Sequence, residues 1–396
     1  MKYVIPVGDG MADEFIKELG GKSPLEYAQT PNLDFVAQKG ICGMVDLIPE
    51  GFPPGSDIGN MSLMGYDPQK YHTGRAPIEA ASIGIKLAPD ETAFRCNLVT
   101  VKDGIMDDYS AGHIETESAK EIISALKTLD CDRYKFYLGV QYRHILVIKD
   151  VDVKGEKLVP PHDISGQKTA GFIPKNPILA EICQKAGEVL KTCSENKKRA
   201  AAGEKVVSDI WLWGEGKAAK WPSLKERYGL NGGVVSAVDL VKGIGALAGM
   251  EIINVPGATG YLGTNYAGKM AACREILKKS DFALVHIEAP DETSHEGDLK
   301  KKLQAIEEYD QNVVGELLKM LKEFDGLSVM VLPDHPTYVR TKTHALDKVP
   351  FAVFGPKIPV GSSSSYNERT AASSGIVIKS GEELFEKFIK GGFVGQ

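Results

Sequence analysis

Short apolar segments alternate with helical patterns along this chain. Apolar segments of strand length end close to Gly, Pro, Asp or His, an alternation typical of an α/β fold with a mainly parallel sheet sandwiched by helices. Between residues 300 and 324, apolar residues recur at helical spacing on one face, which predicts a helix that covers the sheet. The predicted strands are residues 3–7, 234–237, 252–255, 282–287, 327–332 and 351–354.

The pattern changes between about residues 71 and 199, where strand-like segments at 94–101, 135–138 and 144–148 mix with helices. We therefore expect a core domain of residues 1–70 and 200–396, with a smaller α/β domain of residues 71–199 inserted into it. Residues 178–199 are expected to form one long helix whose solvated end is Lys197-Lys198-Arg199. Pro6 lies inside the first strand, so an unpaired position or a bulge is expected there.

Charge and cysteine content narrow the class of partner. The 396 residues contain 47 Lys plus Arg and 53 Asp plus Glu, a net charge of -6, which does not favour nucleic acid or an anionic membrane. Six scattered cysteines without a C-x-x-C pair indicate reduced thiols. The N-terminus predicts a strand rather than a signal peptide, and no apolar segment reaches the length of a membrane span. We expect a cytoplasmic enzyme, monomeric or homo-oligomeric, with a small substrate.

Side chains that bind metals follow several of the predicted strands, and one further histidine, His344, precedes the strand predicted at 351–354. Ligand sites of open α/β sheets lie outside the carboxyl ends of the strands. Singly, each of these residues is more often a cap or a satisfied surface group, but together their charges would be costly without cations. The number of oxygen and nitrogen ligands, without thiolate, predicts two divalent ions from among Mn²⁺, Zn²⁺, Fe²⁺ and Mg²⁺. The six residues are Asp9, Asp291, His295, Asp334, His335 and His344.

A candidate nucleophile lies in a separate segment. Ser56 follows Gly55 and opens a predicted helix, where backbone amides favour an anion. Taken alone, such a serine is more often an N-cap, but beside two metal ions it is a nucleophile that a metal can deprotonate. Residues 263–270 differ by one position from a P-loop, because Met270 stands where Ser or Thr would hold Mg²⁺, so we expect no nucleotide site there.

The motifs together resemble the alkaline phosphatase superfamily, and within it the archaeal-type cofactor-independent (2,3-bisphosphoglycerate-independent) phosphoglycerate mutases. The resemblance covers essentially the whole chain. It rests on GDGMAD at 8–13, PGSD at 54–57, GYDP at 65–68, YHTGR at 71–75, FRCN at 94–97, DETSHEGD at 291–298, PDHPT at 333–337 and KTH at 342–344.

The resemblance implies a ligand set and a reaction. Ser56 would accept the phosphoryl group of 3-phosphoglycerate and return it to the other hydroxyl of the retained glycerate, giving 2-phosphoglycerate in glycolysis and gluconeogenesis. The ions would be Mn²⁺, with Zn²⁺, Mg²⁺ or Co²⁺ as alternatives. One ion would be held by Asp291, His295 and His344, and the other by Asp9, Ser56, Asp334 and His335.

The inserted domain would act as a lid that excludes water and grips the substrate. His113 stands where many archaeal-type members carry arginine, and the chain also resembles a bacterial branch described as proposed homoserine kinases. The alternative function is therefore a phosphotransferase or phosphatase acting on another small phosphorylated alcohol, such as phosphohomoserine. A catalytically silent metal-binding protein is a third alternative, and it would predict eroded ligands. The candidate substrate-binding residues are Arg75, Arg95, His113 and Arg143 of the lid and Lys242 of the core.

Overall fold

The computed structural model describes residues 1–393 and divides the chain into two compact units. The first unit comprises Met1–His72 and the chain from Trp221 onward, and the second comprises Thr73–Lys220. Residues 394–396, the end of the predicted core domain, lie outside the described residues.

Within the described residues, strands and helices follow one another as the sequence pattern indicates. The strands are β1 Lys2–Gly8, β2 Ile41–Val45, β3 Glu91–Lys102, β4 Ile105–Asp108, β5 Tyr134–Val140, β6 Arg143–Lys149, β7 Asp209–Lys217, β8 Gly232–Val235, β9 Glu251–Ile253, β10 Phe282–Ile287, β11 Leu327–Val331, β12 Thr337–Tyr338, β13 Thr343–His344, β14 Val349–Phe354 and β15 Val377–Ile378. The helices are α1 Pro24–Tyr27, α2 Pro31–Lys39, α3 Ser56–Leu63, α4 Pro68–Tyr71, α5 Arg75–Ser82, α6 Thr116–Leu126, α7 Pro177–Thr192, α8 Ser194–Ala201, α9 Leu224–Tyr228, α10 Asp239–Leu247, α11 Tyr266–Lys279, α12 Ala289–Glu296, α13 Leu299–Tyr309, α14 Gly315–Met320, α15 Glu368–Ser373 and α16 Gly381–Lys390.

The first unit is built on an eight-stranded sheet with the order β15-β2-β14-β11-β1-β10-β8-β9. The strands β11, β1, β10, β8 and β9 pair in parallel, whereas β14 is antiparallel to both of its neighbours. All six residues of β10 are buried, as expected for a strand with both faces covered. The predicted α/β fold with a mainly parallel sheet is confirmed, and each of the six predicted strands is part of this sheet.

The first strand accommodates its proline without a bulge. On the β10 side, β1 pairs continuously from Tyr3 to Gly8. On the β11 side the ladder stops after Val4 and resumes at Val7, which bridges Leu332 in the same register. Pro6 therefore occupies an unpaired position, as its missing amide hydrogen requires.

The second unit is an antiparallel sheet in the order β4-β3-β6-β5, with β7 paired to β3, and its core includes residues of α6 and α7. Because β7 pairs with β3, the chain returns to the first unit after Lys220 rather than at residue 200. The helix predicted over 178–199 is two helices, since Cys193 adopts an extended ψ of 131° between them.

The basic end of that predicted helix is not wholly solvated. Arg199 is buried, its Nε donates to Lys205 O, and its Nη2 donates to Ala111 O at 2.9 Å. The expectation of a solvated Lys197-Lys198-Arg199 cluster was therefore wrong for Arg199, because helix α8 turns this residue inward while Lys197 and Lys198 stay exposed.

The helix predicted over 300–324 is present as α13 and α14, joined by a π-helical segment at Asp310–Val314. Ile306, Val313 and Leu317 are buried along its apolar face, as the spacing predicts. Among the residues that the structure describes, none of the helices combines the length and the apolar composition needed to cross a membrane.

Candidate metal centre

Three parallel strands bring their carboxyl ends to one edge of the sheet in the first unit. Strands β11, β1 and β10 are adjacent, so the segments that follow them lie side by side. Asp9 comes directly after β1, Asp291 lies in the helix that follows β10, and Asp334 comes three residues after β11. All three carboxylates are buried.

The first group of potential ligands is Asp291, His295 and His344, whose ligand atoms lie within 4.8 Å of one another. Asp291 and His295 are four residues apart on α12, hence on the same face, and His295 Nε2 is 3.2 Å from Asp291 Oδ2. The short β12–β13 ladder pairs His344 with Thr337, and His344 Nε2 is 3.5 Å from Asp291 Oδ1.

Hydrogen bonds fix the tautomers of these two imidazoles. His295 Nδ1 lies 2.9 Å from Lys342 O, and His344 Nδ1 lies 3.2 Å from Pro54 O. Since a carbonyl oxygen only accepts, each Nδ1 carries the hydrogen, and each neutral ring has its lone pair on Nε2. The two Nε2 atoms are 3.0 Å apart, so these lone pairs face each other and require a proton or a cation between them.

The second group surrounds Asp9. His335 Nε2 lies 3.5 Å from Asp9 Oδ1, 3.6 Å from Asp334 Oδ2 and 3.2 Å from Ser56 Oγ. Ser56 is the first residue of α3, as the sequence predicts. The structure therefore brings together all seven residues for which a metal-binding role was predicted.

Two residues at this site were not identified from the sequence. Asn60, one turn after Ser56, donates through Nδ2 to Asp334 Oδ2 at 2.7 Å and to Ser56 O at 2.9 Å, so it connects α3 to the carboxylate. His286 lies inside β10 with its Nε2 3.2 Å from Asp9 Oδ2. In the sequence, His286 could have been noticed as the only polar residue of the apolar segment 282–287.

The pKa values show how strongly the carboxylates interact. Burial, followed by the negative charges of Asp334 and Asp291, raises the pKa of Asp9 well above its usual value. Burial alone would raise the pKa of Asp291, but the hydrogen bonds that His295 and His344 donate through Nε2 when their rings are protonated hold it well below the usual range. The hydrogen bond to Asp291 raises the pKa of His295 to about 9.

These observations meet the requirements of a cation site. Asp9 Oδ1 is buried without a hydrogen-bond partner, three carboxylates share one buried space, and two imidazole lone pairs point at each other. Each feature is costly unless positive charge is supplied, and the oxygen and nitrogen donors suit divalent transition metals. The residues present therefore fit divalent metal ions.

Two glycines allow the segments of the site to approach closely. Gly10 has a φ of +61°, and a Cβ there would lie 2.5 Å from Asp291 Oδ1 and Thr337 Oγ1. A Cβ on Gly59 would lie 2.4 Å from Asp334 O, so α3 packs directly on the backbone that carries Asp334. Side chains at these two positions would separate the ligand-bearing segments.

A buried ion pair between Lys302 and Asp13 connects two of the segments that carry the candidate ligands. Lys302 is completely buried, and its Nζ donates to Asp13 Oδ2 at 2.9 Å, to Thr337 O at 2.7 Å and to Ala12 O at 3.3 Å. Thr337 Oγ1 donates in turn to Asp291 Oδ1. Lys302 therefore ties the loop after β1 to the β12–β13 ladder that carries His344.

The second unit collects the predicted substrate-binding arginines around aromatic rings. Arg75 and Arg95 share the carboxylate of Glu79, with N···O distances of 3.2 and 2.9 Å. Arg95 also stacks over Trp213, with its guanidinium 4.0 Å from the ring centroid. Burial, opposed by Glu79 and assisted by the charges of Arg75 and Arg143, lowers the pKa of Arg95 to about 10.

The other two candidates of this unit join the same aromatic cluster. Arg143 lies over Tyr142, Tyr142 packs against Tyr109, and the Tyr109 ring contacts the ring of His113. His162, which the sequence analysis did not identify, contacts both Tyr109 and Trp213 and so links the two ends of the cluster.

The loop that carries His113 has an unusual backbone. Ala111, Gly112 and His113 all have left-handed φ values, of 49°, 72° and 51°. For Ala111 and His113 this is a strained conformation of the kind that concentrates at functional sites. The bond from buried Arg199 to Ala111 O helps to hold it.

The remaining sequence candidates lie in the first unit. Lys242 lies on α10 with its Nζ 3.4 Å from Asp239 Oδ1, and its predicted role stays a prediction. Lys269 of the P-loop-like segment lies within α11, fully buried, and donates to His286 O at 3.2 Å. Burial lowers the pKa of Lys269 to about 8.

The fold and the grouped carboxylates and imidazoles are those of a metal-binding α/β enzyme. Residues 37–202 match the family of 2,3-bisphosphoglycerate-independent phosphoglycerate mutases. The 2,3-bisphosphoglycerate-independent phosphoglycerate mutase of Methanothrix thermoacetophila is 46% identical over 395 residues, covering 99% of this chain and 100% of that protein. The probable 2,3-bisphosphoglycerate-independent phosphoglycerate mutase of Geobacter sulfurreducens is 44% identical over 398 residues, covering 98% and 100%.

Solved structures agree with these relatives. The cofactor-independent phosphoglycerate mutase of Thermoplasma acidophilum is similar with a TM-score of 0.69 and 26% identity, covering 98% of this chain and 99% of that one. A protein from Pyrococcus horikoshii has a TM-score of 0.84 and 28% identity, covering 98% and 97%. The chain belongs to the 2,3-bisphosphoglycerate-independent phosphoglycerate mutase family, a family of isomerases, which confirms the family that the sequence motifs indicated.

Proposed function

We propose that this protein interconverts 3-phosphoglycerate and 2-phosphoglycerate without 2,3-bisphosphoglycerate, through a phosphoserine at Ser56. The observation that carries the proposal is the position of Ser56 Oγ, 3.2 Å from His335 Nε2 at the start of α3 and beside the grouped carboxylates and imidazoles. The full-length identity to named mutases supports this substrate.

In the first half-reaction, Ser56 Oγ bonds to phosphorus and the bond from phosphorus to O3 of the substrate breaks. Ser56 loses one proton and O3 gains one, so this half is neutral in protons. In the second half, O2 of the same glycerate bonds to phosphorus, and the bond to Ser56 Oγ breaks. The net reaction is an isomerisation, provided that glycerate stays bound and water stays out.

The metal assignments that the motifs imply become part of this proposal. Two divalent ions, Mn²⁺ foremost with Zn²⁺, Mg²⁺ or Co²⁺ as alternatives, when bound would lower the pKa of the serine hydroxyl and neutralise charge on the phosphoryl oxygens. Asn60 orients Asp334 through its bond to Oδ2, and Gly10 N donates to the other oxygen at 3.3 Å. One ion would be held by Asp291, His295 and His344, which form one of the potential ligand groups. The other would be held by Asp9, Ser56, Asp334 and His335, which His335 Nε2 links at 3.2 to 3.6 Å.

We propose that the second unit supplies the anion-binding groups and acts as the lid. One carboxylate, Glu79, is shared by two arginines, which leaves the cluster with net positive charge for the substrate's phosphate and carboxylate. Lys242 would add a further positive charge from the first unit. All six cysteines are free thiols, which supports a reducing cytoplasm. We place the reaction in glycolysis and gluconeogenesis because its proposed substrate is 3-phosphoglycerate.

Metal removal tests the proposed function. Protein stripped by a chelator is expected to lose essentially all conversion of 3-phosphoglycerate and to regain it on addition of Mn²⁺, with Zn²⁺, Mg²⁺ and Co²⁺ assayed in parallel. The loss is expected because the carboxylates around Asp9 repel each other and the substrate phosphate when cations are absent. Full activity in verified metal-free protein would refute the proposal.

Arg75→Lys tests the role of the second unit. Lysine keeps the charge but loses the planar fork, so kcat/KM for 3-phosphoglycerate is expected to fall about 10- to 100-fold, the value of one charge-assisted hydrogen bond of about 1.5–3 kcal/mol. Steady-state kinetics give this ratio. Arg133→Lys, at an exposed arginine of the same unit, is the matched control and is expected to change it less than about twofold.

A further inference from the structure

His286 has no explanation as an ordinary core histidine. It is fully buried in β10, and neither Nδ1 nor Nε2 makes a hydrogen bond. An imidazole with both nitrogens buried and without a hydrogen bond carries a desolvation penalty that native proteins rarely tolerate without a compensating partner.

Two carboxylates, those of Asp9 and Asp334, lie beside the His286 ring. Its Nε2 lies 3.2 Å from Asp9 Oδ2, and ligand atoms of Asp9, His286 and Asp334 lie within 4.8 Å of one another. The oxygen Asp9 Oδ1 is likewise buried without a hydrogen bond. His286 Nε2 and Asp9 Oδ2 are therefore close but not in hydrogen-bonding geometry, which is the arrangement expected of two ligands of one ion.

We propose that His286 is a further ligand of the ion that Asp9 and Asp334 hold. The inference rests on the proposed two-ion site and extends it: each ion then has two imidazoles, His295 with His344 and His286 with His335. Such a donor set belongs to Mn²⁺, Zn²⁺ or Co²⁺ rather than to Mg²⁺, which prefers oxygen ligands.

The backbone around His286 holds the ring in this position. The strand pairs in parallel with β1 on one side, where His286 is opposite Val7, and with β8 on the other side. Lys269 Nζ donates to the carbonyl oxygen of His286, so its charge faces the strand backbone. The ring therefore sits on a rigid strand beneath Asp9, as a preorganised ligand requires.

The test compares His286→Leu with the wild type by titrating metal-free protein with Mn²⁺ and Co²⁺. Ions per chain are counted by mass spectrometry, and the visible spectrum of the Co²⁺ form reports the ligands. Leucine has a similar size and needs no partner, so a merely structural histidine would be replaced without loss of metal. His144→Leu is the matched control, because His144 is also buried with an unpaired Nε2 but lies on β6 of the second unit.

We expect the wild type and His144→Leu to bind two ions. We expect His286→Leu to keep one ion at wild-type affinity and to bind the second at least about 10-fold more weakly, the lower bound for losing even an outer-sphere partner. Its Co²⁺ spectrum should change as well. Two ions bound with unchanged affinity and an unchanged spectrum would overturn the inference.

The same titration separates this inference from the proposed function. If the wild type itself binds fewer than two ions, the two-ion site fails, and the inference fails with it. If the wild type binds two ions and His286→Leu binds both with unchanged affinity and an unchanged Co²⁺ spectrum, the inference fails but the proposed two-ion site stands. His286→Asn, which is smaller and remains polar, takes the place of the leucine variant with the same expectations if that variant does not fold.

Discussion

Replacing Ser56 by alanine is expected to lower kcat for 3-phosphoglycerate by on the order of 10⁴-fold or more, the size of effect seen when a nucleophile is removed. Ser56 Oγ is the phosphoryl acceptor in the proposed reaction, and no second hydroxyl takes its place there. The metal content is expected to stay nearly intact, because His335, Asp9 and Asp334 remain. Coupled assay of 2-phosphoglycerate and metal analysis of the same sample give both quantities.

Ser62→Ala is the matched control for this variant. Ser62 is a second serine of α3, six residues further along the helix, where it is buried, and it has no proposed part in the chemistry. Its activity is expected to stay within about twofold of the wild type. Retention of activity in Ser56→Ala would refute the phosphoserine, whereas equal losses in both variants would assign the effect to damage of α3.

Replacing Lys302 by methionine is expected to lower the free energy of unfolding by about 3–5 kcal/mol, because it leaves the Asp13 carboxylate buried without its cation. Urea unfolding of metal-free protein measures this change. The variant Asp13→Asn in the Lys302→Met background is expected to recover part of the loss, since the uncompensated charge is then removed. Activity should fall as well, because Lys302 also holds the Thr337 backbone beside Asp291.

Lys319→Met provides the comparison for Lys302. Lys319 pairs with Glu316 on the exposed side of α14, where a surface ion pair contributes about 0–1 kcal/mol. A loss for Lys302→Met no larger than that for Lys319→Met would contradict the supporting role of the buried pair.

Most of the candidate ligand residues were predictable because they follow strands of a parallel sheet, and the topology of such a sheet places its carboxyl ends together. Asp9, Asp291 and Asp334 follow three adjacent strands, so their convergence required only the correct strand assignment. His344 was placed by its motif, and the two-residue ladder that carries it has too few residues to show a strand pattern.

Other features depend on packing that a linear pattern does not contain. His286 lies inside a strand, where the apolar pattern favours a core residue, and only the neighbouring strand reveals Asp9 beside it. Arg199 follows two exposed lysines, yet it is buried, and its guanidinium donates a hydrogen bond to the carbonyl oxygen of Ala111, which is far away in sequence. The second unit extends to Lys220 because β7 pairs with a strand more than a hundred residues earlier.

In the aromatic cluster of the second unit, the sequence shows the individual residue types but not the contacts between them. Arginines were identified singly as anion-binding candidates, since their chemistry is visible in the sequence. The stacking of Arg95 on Trp213 follows from the β3–β7 pairing, which places Arg95 opposite Trp213. Glu79 is shared because it pairs with Arg75 along α5 and also reaches Arg95 of β3. His162 lies in an irregular segment, and its part in the cluster becomes visible only through its ring contacts.

The central claim is that this chain isomerises phosphoglycerate rather than hydrolysing a phosphate ester. The most direct measurement follows 2-phosphoglycerate and free phosphate together, using metal-loaded protein, 3-phosphoglycerate and no 2,3-bisphosphoglycerate. We expect 2-phosphoglycerate to form with at most a trace of free phosphate. Phosphate release that exceeds isomerisation, or no conversion by metal-loaded protein that turns over phosphohomoserine, would contradict it.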